Sequence, residues 1–250
     1  MKINAKIMKP LLFTTAAIML VVATMFATMA YMTSSAAVSN VFTVGNVKLH
    51  MYESSVDKDG NVLAGVGENG MKPADTNSYH LVPGATYTKD PTIYVDGGSD
   101  KSYLFVRLRN DLKSIELTGD PTHPTILQQL QKNGWLEIER AASNVDAVFV
   151  YVGNVDGYVP GMTADEFFNA GLQVSTVGGG TDREQYDVFG SFTLKEKIDN
   201  LSIFGGARVA IVAYAIQARL PGYDTESTMG TKEAIAEAWD YIKQELPFVV

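Results

Sequence analysis

The chain has 250 residues, with 20 basic and 28 acidic side chains, a net charge of −8 and no cysteine. The acidic balance argues against nucleic acid and anionic membrane surfaces as partners, because both require basic surface. The absence of cysteine excludes disulfides, a lipid anchor on cysteine and thiol catalysis.

Lys2, Lys6 and Lys9 open the chain, and Leu11 to Met29 carries no charge. With the small or tolerated residues Thr28-Met29-Ala30, this pattern predicts an export signal over residues 1–30, cut between Ala30 and Tyr31. The other reading is an uncleaved anchor, since about 20 apolar residues can span a bilayer. Several threonines and alanines weaken the run, and no basic cluster follows it. A rival cut after Ser34-Ser35-Ala36 would start the product at Ala37. Removing residues 1–30 takes away three lysines and no acid, leaving 17 basic and 28 acidic side chains, a net of −11. The remaining chain is long enough for one sizeable core.

An alternating stretch comes next. From Met32 to Val44 the even positions (Met32, Ser34, Ala36, Val38, Asn40, Phe42, Val44) are more apolar than the odd ones, as in a strand with one buried side. After Gly45 the phase flips, and Val47, Leu49 and Met51 become the apolar set. A strand cannot bury both halves on one face without a break or an extra residue. Residues 31–44 therefore read as an arm and residues 45–250 as the body. The alternation leaves open whether the arm pairs within its own domain or elsewhere.

The body reads mostly as strands. "YLFVRLR" (103–109) is rich in aromatic and branched residues, "AVFVYV" (147–152) is a continuous apolar run expected of a doubly buried strand, and "RVAIVAYAIQAR" (208–219) reads as a long central strand. Turns fall at Asp59-Gly60, Pro83-Gly84, Asp96-Gly97-Gly98, Asp156-Gly157, Pro160-Gly161 and Gly178-Gly179-Gly180. Three helices are predicted: 124–133 with Pro124 first, a short one capped by Thr163-x-x-Glu166, and 231–246 with an apolar stripe that packs over the sheets. The stretch 54–78 is the expected mobile insertion. The fold class is all-β.

Motifs for chemistry are few. His50, His80 and His123 fall on different elements, and no H-E-x-x-H places two ligands on one helical face. No nucleophile elbow, phosphate loop or dinucleotide fingerprint is present. Asp57, Asp59 and Asn61 alternate loosely like a calcium loop, but the glycine is at the fourth position and no glutamate stands at the twelfth, so a hairpin turn is the expectation. The glycine triplet at 178–180 reads as a flexible loop rather than an anion nest. No cofactor, metal or catalytic residue is assigned.

The ordered motifs resemble the TasA and camelysin family of exported matrix-fibre proteins, which a dedicated signal peptidase processes. The resemblance begins at "MA-YMTSS" and continues in "NVFTVGNVKLHM" at Phe42, Thr43, Gly45, Val47 and Leu49. It extends through "LVPGATYTKDPTIYVDGGSDKSYLFVRLRN", with Pro83, Gly84, Lys89, Pro91 and Arg107. "GYVPGMTADEFF", with Pro160 and Gly161, and "VAYAIQARLPGY", with Gln217, complete it. Asp96 stands where the family often has asparagine, the run at Val150-Tyr151-Val152 is shorter than the family's, and neither 112–135 nor the tail after Gly222 matches.

The resemblance implies a jelly-roll-like β-sandwich with a few short helices and a C-terminal helix, secreted to the matrix or cell surface. It implies a structural role in which the mature N-terminal segment of one subunit adds a strand to its neighbour's sandwich. Met32, Ala36, Val38, Phe42 and Val44 would be the donor positions. Partners would be further copies of the chain, matrix accessory proteins and, during export, the signal peptidase; membrane contact would come only through the uncleaved signal. The alternatives are a monomeric adhesin or fibre-accessory protein and, because some camelysin-like relatives carry that label, a metallopeptidase. Scattered histidines argue against the last, since catalytic zinc needs three ligands in fixed geometry.

Overall fold

The computed structural model describes residues 33–35, 40–64, 71–73, 77–225 and 227–245. The expected signal segment 1–30, with Ala30, lies outside the described residues, as do Tyr31, Met32, Ala36 and Val38. In chain order the strands are β1 (Thr33–Ser35), β2 (Asn40–Val44), β3 (Leu49–Ser54), β4 (Met71–Pro73), β5 (Ser78–His80), β6 (Thr86–Thr88), β7 (Thr92–Val95) and β8 (Ser102–Asn110). Helix α1 (Ile126–Lys132), β9 (Trp135–Arg140), β10 (Asp146–Tyr151), α2 (Ala164–Asn169), β11 (Glu184–Asp187), β12 (Ser191–Thr193), β13 (Val209–Gln217) and α3 (Lys232–Glu245) follow. Among the described residues, no helix is long and apolar enough to cross a membrane.

The fold is all-β with short helices. A five-stranded sheet in the order β2-β13-β8-β10-β9 faces a four-stranded sheet in the order β11-β7-β3-β4, with two-stranded pairs β1-β5 and β12-β6 at the side. The core between the sheets takes Leu49, Met51, Ile93 and Val95 from one sheet and Leu104, Val106, Phe149, Ile211 and Ala213 from the other. A second cluster lies on the opposite face of the five-stranded sheet. There Tyr103, Phe105, Val150, Tyr214 and Ile216 meet Ile235, Ala238, Trp239 and Ile242 of α3. The expected doubly buried run at 147–152 is explained: alternate residues of β10 enter different cores. β13 is a central strand, as its composition predicts.

Helix ends follow their local chemistry. Thr125 caps α1 through Gln128 and Thr163 caps α2 through Glu166, both as reciprocal capping boxes. Pro124 therefore stands one residue before the cap, not at the first helical position as the sequence reading has it. The capping side chain of Thr125 outweighs the preference of proline for the first turn. A signal missed in the sequence is Glu116, buried with an oxygen 2.6 Å from the Ile126 amide, so that a carboxylate sits on the N-terminus of α1.

The glycine triplet is packed rather than flexible. A Cβ at Gly178 would stand 2.9 Å from the Asp100 carbonyl oxygen, and one at Gly97 only 1.9 Å from that of Thr181. The Gly178 amide donates to Glu184, and the Gly179 amide to the Ser99 carbonyl. Close approach of two loops, not freedom, is what these glycines supply. In the stretch 54–78, expected to be mobile, Val56 bridges Val62 and β4 pairs with β3; residues 65–70 and 74–76 lie outside the described residues.

Candidate assembly site

The described parts of the arm lie in two different sheets. β1 pairs antiparallel with β5, Ser34 opposite Tyr79, whereas β2 pairs parallel with β13 in another sheet, Phe42 opposite Tyr214 and Val44 opposite Ile216. β2 is the edge strand of the five-stranded sheet, so in the single chain it belongs to the same sheet as the body, not to an appendage ending at residue 44. The register puts Asn40, Phe42 and Val44 opposite the residues of β13 that face the helix-covered side.

The phase flip at Gly45 has a physical cause. At this point the chain leaves the five-stranded sheet and enters the four-stranded one, where Val47, Leu49 and Met51 turn into the inter-sheet core. Gly45 has φ +95°, and a Cβ there would approach the Gln217 Cβ to 3.1 Å. Only glycine takes this conformation without strain. The body side of the junction is clamped. Gln217 donates to Asp100 at 3.2 Å, the Asp100 amide donates to the Asn46 carbonyl, and the Lys48 amide donates to Ser99 Oγ. Gly45 is thus a single left-handed residue beside a loop held by hydrogen bonds.

The face of β13 that carries Tyr214 and Ile216 is roofed by α3. The Trp239 ring lies 5.6 Å from Phe105 and 5.7 Å, edge-on, from Tyr214. Burial pushes the Tyr214 phenol up, opposed by the neighbouring Arg107 guanidinium. Arg107 also pairs with Asp146 at 3.3 Å. These two and Arg109, Asp111, Arg208 and Val212 line a cleft of about 360 Å³.

The other motif positions are structural. Pro83-Gly84 forms a turn in which the Gly84 amide donates to Lys195. Pro91 is buried and accepts from the Val188 amide, and Pro160-Gly161 lies in an exposed turn before α2. Lys89 is buried against Glu53, with Nζ to Oε2 at 2.8 Å. Glu53 was missed in the sequence, although it shares the inward phase of Leu49 and Met51 and so places a charge on a buried face. Asp57 of the calcium-like stretch accepts from the Asp59 amide and from the amide and side chain of Asn61. Its carboxylate closes the hairpin turn, as expected.

His50 pairs with Asp96 at 2.9 Å and His123 with Asp120 at 3.0 Å, while His80 is exposed on β5. Among the described residues no group of three or more His, Asp or Glu side chains is placed to hold a metal ion. Compared with protein-family models and with curated proteins, the chain matches none.

Proposed function

We propose that the chain is a secreted structural subunit of an extracellular fibre. It has a jelly-roll-like sandwich and assembles by donating its N-terminal arm to the next copy. The observation that carries this reading is β2, an edge strand held to β13 along one side and joined to the body through the left-handed Gly45. In the single chain β2 fills its own place on β13 and β1 pairs with β5. The arm of a second copy can form the same ladder, so exchange conserves its backbone hydrogen bonds, each worth about 1 kcal/mol net. The resemblance to the TasA and camelysin fibre proteins supports the same reading.

The test is deletion of residues 31–44 from the secreted product. The truncated protein is expected to remain a folded monomer that forms no fibres by electron microscopy. A synthetic 31–44 peptide is expected to raise its melting temperature by occupying the vacated edge of β13. Fibres from the truncated protein, or a fold that ignores the peptide, would overturn the proposal. A full-length chain that stays monomeric at high concentration would point to the accessory or adhesin role.

A further inference from the structure

Three polar side chains are buried together where the sandwich core should be dry. Glu53 on β3, Asn77 just before β5 and Lys89 just after β6 are each no more than 3% exposed. Lys89 Nζ lies 2.8 Å from Glu53 Oε2, and Asn77 Nδ2 lies 3.0 Å from Glu53 Oε1. The amine and the amide are thus bound to the two oxygens of one carboxylate. Asn77 Nδ2 also donates to the Ser54 carbonyl at 2.8 Å, and Asn77 Oδ1 accepts from the Val56 amide at 3.3 Å. Tyr79 is buried beside the cluster, and its ring packs edge-on to Tyr87 and Phe192. The neighbouring Asp90 is occupied by Ser54.

As a static ion pair this arrangement is poor. An ammonium has three donors, and Glu53 is the one hydrogen-bond acceptor of Lys89 Nζ among the described residues. Burying charge in such a place is costly unless every group is satisfied. As a set of reactants it is well formed. A nucleophile and an electrophilic carboxamide are held by the two oxygens of one proton carrier, all three side chains buried, and the Val56 N–H points at the oxygen where charge would develop.

We propose that Lys89 and Asn77 are joined by an intramolecular isopeptide bond whose formation is catalysed by Glu53. The Lys89 ammonium passes a proton to Glu53, and the neutral amine attacks Asn77 Cγ. A C–N bond forms, and the carbonyl electron pair moves to Oδ1, where the Val56 amide stabilises it. Glu53 gives its proton to Nδ2 and takes one from Nζ. The carbonyl then re-forms and the Cγ–Nδ2 bond breaks, releasing ammonia and leaving Glu53 as the neutral acid. No oxidant or co-reactant is consumed. The product replaces a buried charge pair and an amide with a neutral cross-link between the start of β5 and the end of β6. β5 is also the strand that pairs with β1. The inference rests on these side chains alone and is independent of arm exchange.

Peptide mapping of the purified, denatured protein decides it. Trypsin cuts after Lys58 and, where Lys89 is unmodified, after Lys89, giving a peptide 59–89 of full mass; Lys72 is followed by proline and resists cleavage. The cross-link blocks cleavage at Lys89, so the expected product is a peptide 59–101 lighter by one ammonia. In Glu53→Gln the full-mass 59–89 peptide should return, and in Lys89→Met the deficit should vanish. A wild-type protein cut normally after Lys89 at full mass would overturn the proposal. So would loss of water instead of ammonia, or a deficit that persists in Glu53→Gln.

Discussion

The two sheets of the sandwich are written in different codes because they lie between different numbers of layers. Strands β8, β10 and β13 are buried on both faces over most of their length, one against the four-stranded sheet and the other in the cluster that includes α3, and their sequences are nearly continuous apolar runs. β3 and β7 are buried on one face only. Their outer side carries His50, Tyr52, Tyr94 and Asp96, with the Arg183 guanidinium 4.4 Å above the Tyr94 ring and its Nε 3.1 Å from Asp96. The difference teaches that a strand's composition reports its number of covered faces. The covered faces should hold most of the stability.

The largest expected effect follows directly. Phe149 is fully buried between the sheets, and Phe149→Ala should cost about 3–5 kcal/mol through lost burial and the cavity left behind. His50→Ala, on the solvated face, should stay within about 0.5 kcal/mol. Urea midpoints at unchanged slope give both numbers. Comparable losses at the two positions would break the contrast between the sheets.

Trp239→Ala sharpens it, because it removes the roof rather than the shared core. The indole is 3% exposed, packs on Phe105 and Tyr214 and donates to Glu139 at 2.9 Å. A loss of about 3 kcal/mol is expected, at the low end for a tryptophan truncation because a helix at the surface can settle into the gap. Hydrogen exchange should quicken in α3 before it does in β3 and β7.

The layer arrangement was legible where pattern and burial coincide, and illegible where pairing spans many residues. The double burial of 147–152 and the stripe Ile235, Ala238, Trp239, Ile242 could be read because period and environment agree. The phase flip at Gly45 was visible, but its cause was not: periodicity marks a change of face without saying that the chain has changed sheets. The pairing of β2 with β13 joins residues far apart in the chain, and no local signal encodes it. The same limit hid the partner of Lys89. The inward phase of Glu53 could have marked it, but Asn77 looks like any loop asparagine until the fold brings it to the carboxylate. Pro124 misled for the opposite reason: two local helix-start signals competed, and the threonine cap won.

Glu116 tests the edge of the shared core electrostatically. Burial pushes its carboxyl up, opposed by the Ile126 amide, the Asn110 side chain and Lys113. A carboxyl raised in the folded state binds its proton more tightly there than in the unfolded chain. Its contribution to stability is therefore fully present below the unfolded value and is lost as pH rises through the folded one. From about pH 4.5, the ordinary glutamate value, upward, wild type should lose stability relative to Glu116→Gln, whose carbonyl still accepts from Ile126. Parallel stability curves for the two proteins across that range would exclude the effect.

The smallest effect belongs to the Lys232–Asp165 pair, which links the start of α3 to the first turn of α2 at 2.7 Å. Both side chains are more than half exposed, at 57% and 76%, so water and salt screen the attraction. The pair lowers the Asp165 pKa and raises that of Lys232. What the Asp165 carboxylate contributes is present above its unfolded value and lost as pH falls through the folded one. Asp165 also lies near the N-terminus of α2, where negative charge is favourable with or without the lysine. Asp165→Ala should therefore cost slightly more than Lys232→Ala, and the double variant should show a coupling close to experimental error that fades in high salt. A coupling that rivals the loss from Trp239→Ala would mean that charge, not the buried stripe, holds α3 on the five-stranded sheet, and the contrast between covered and solvated faces would fail at that point.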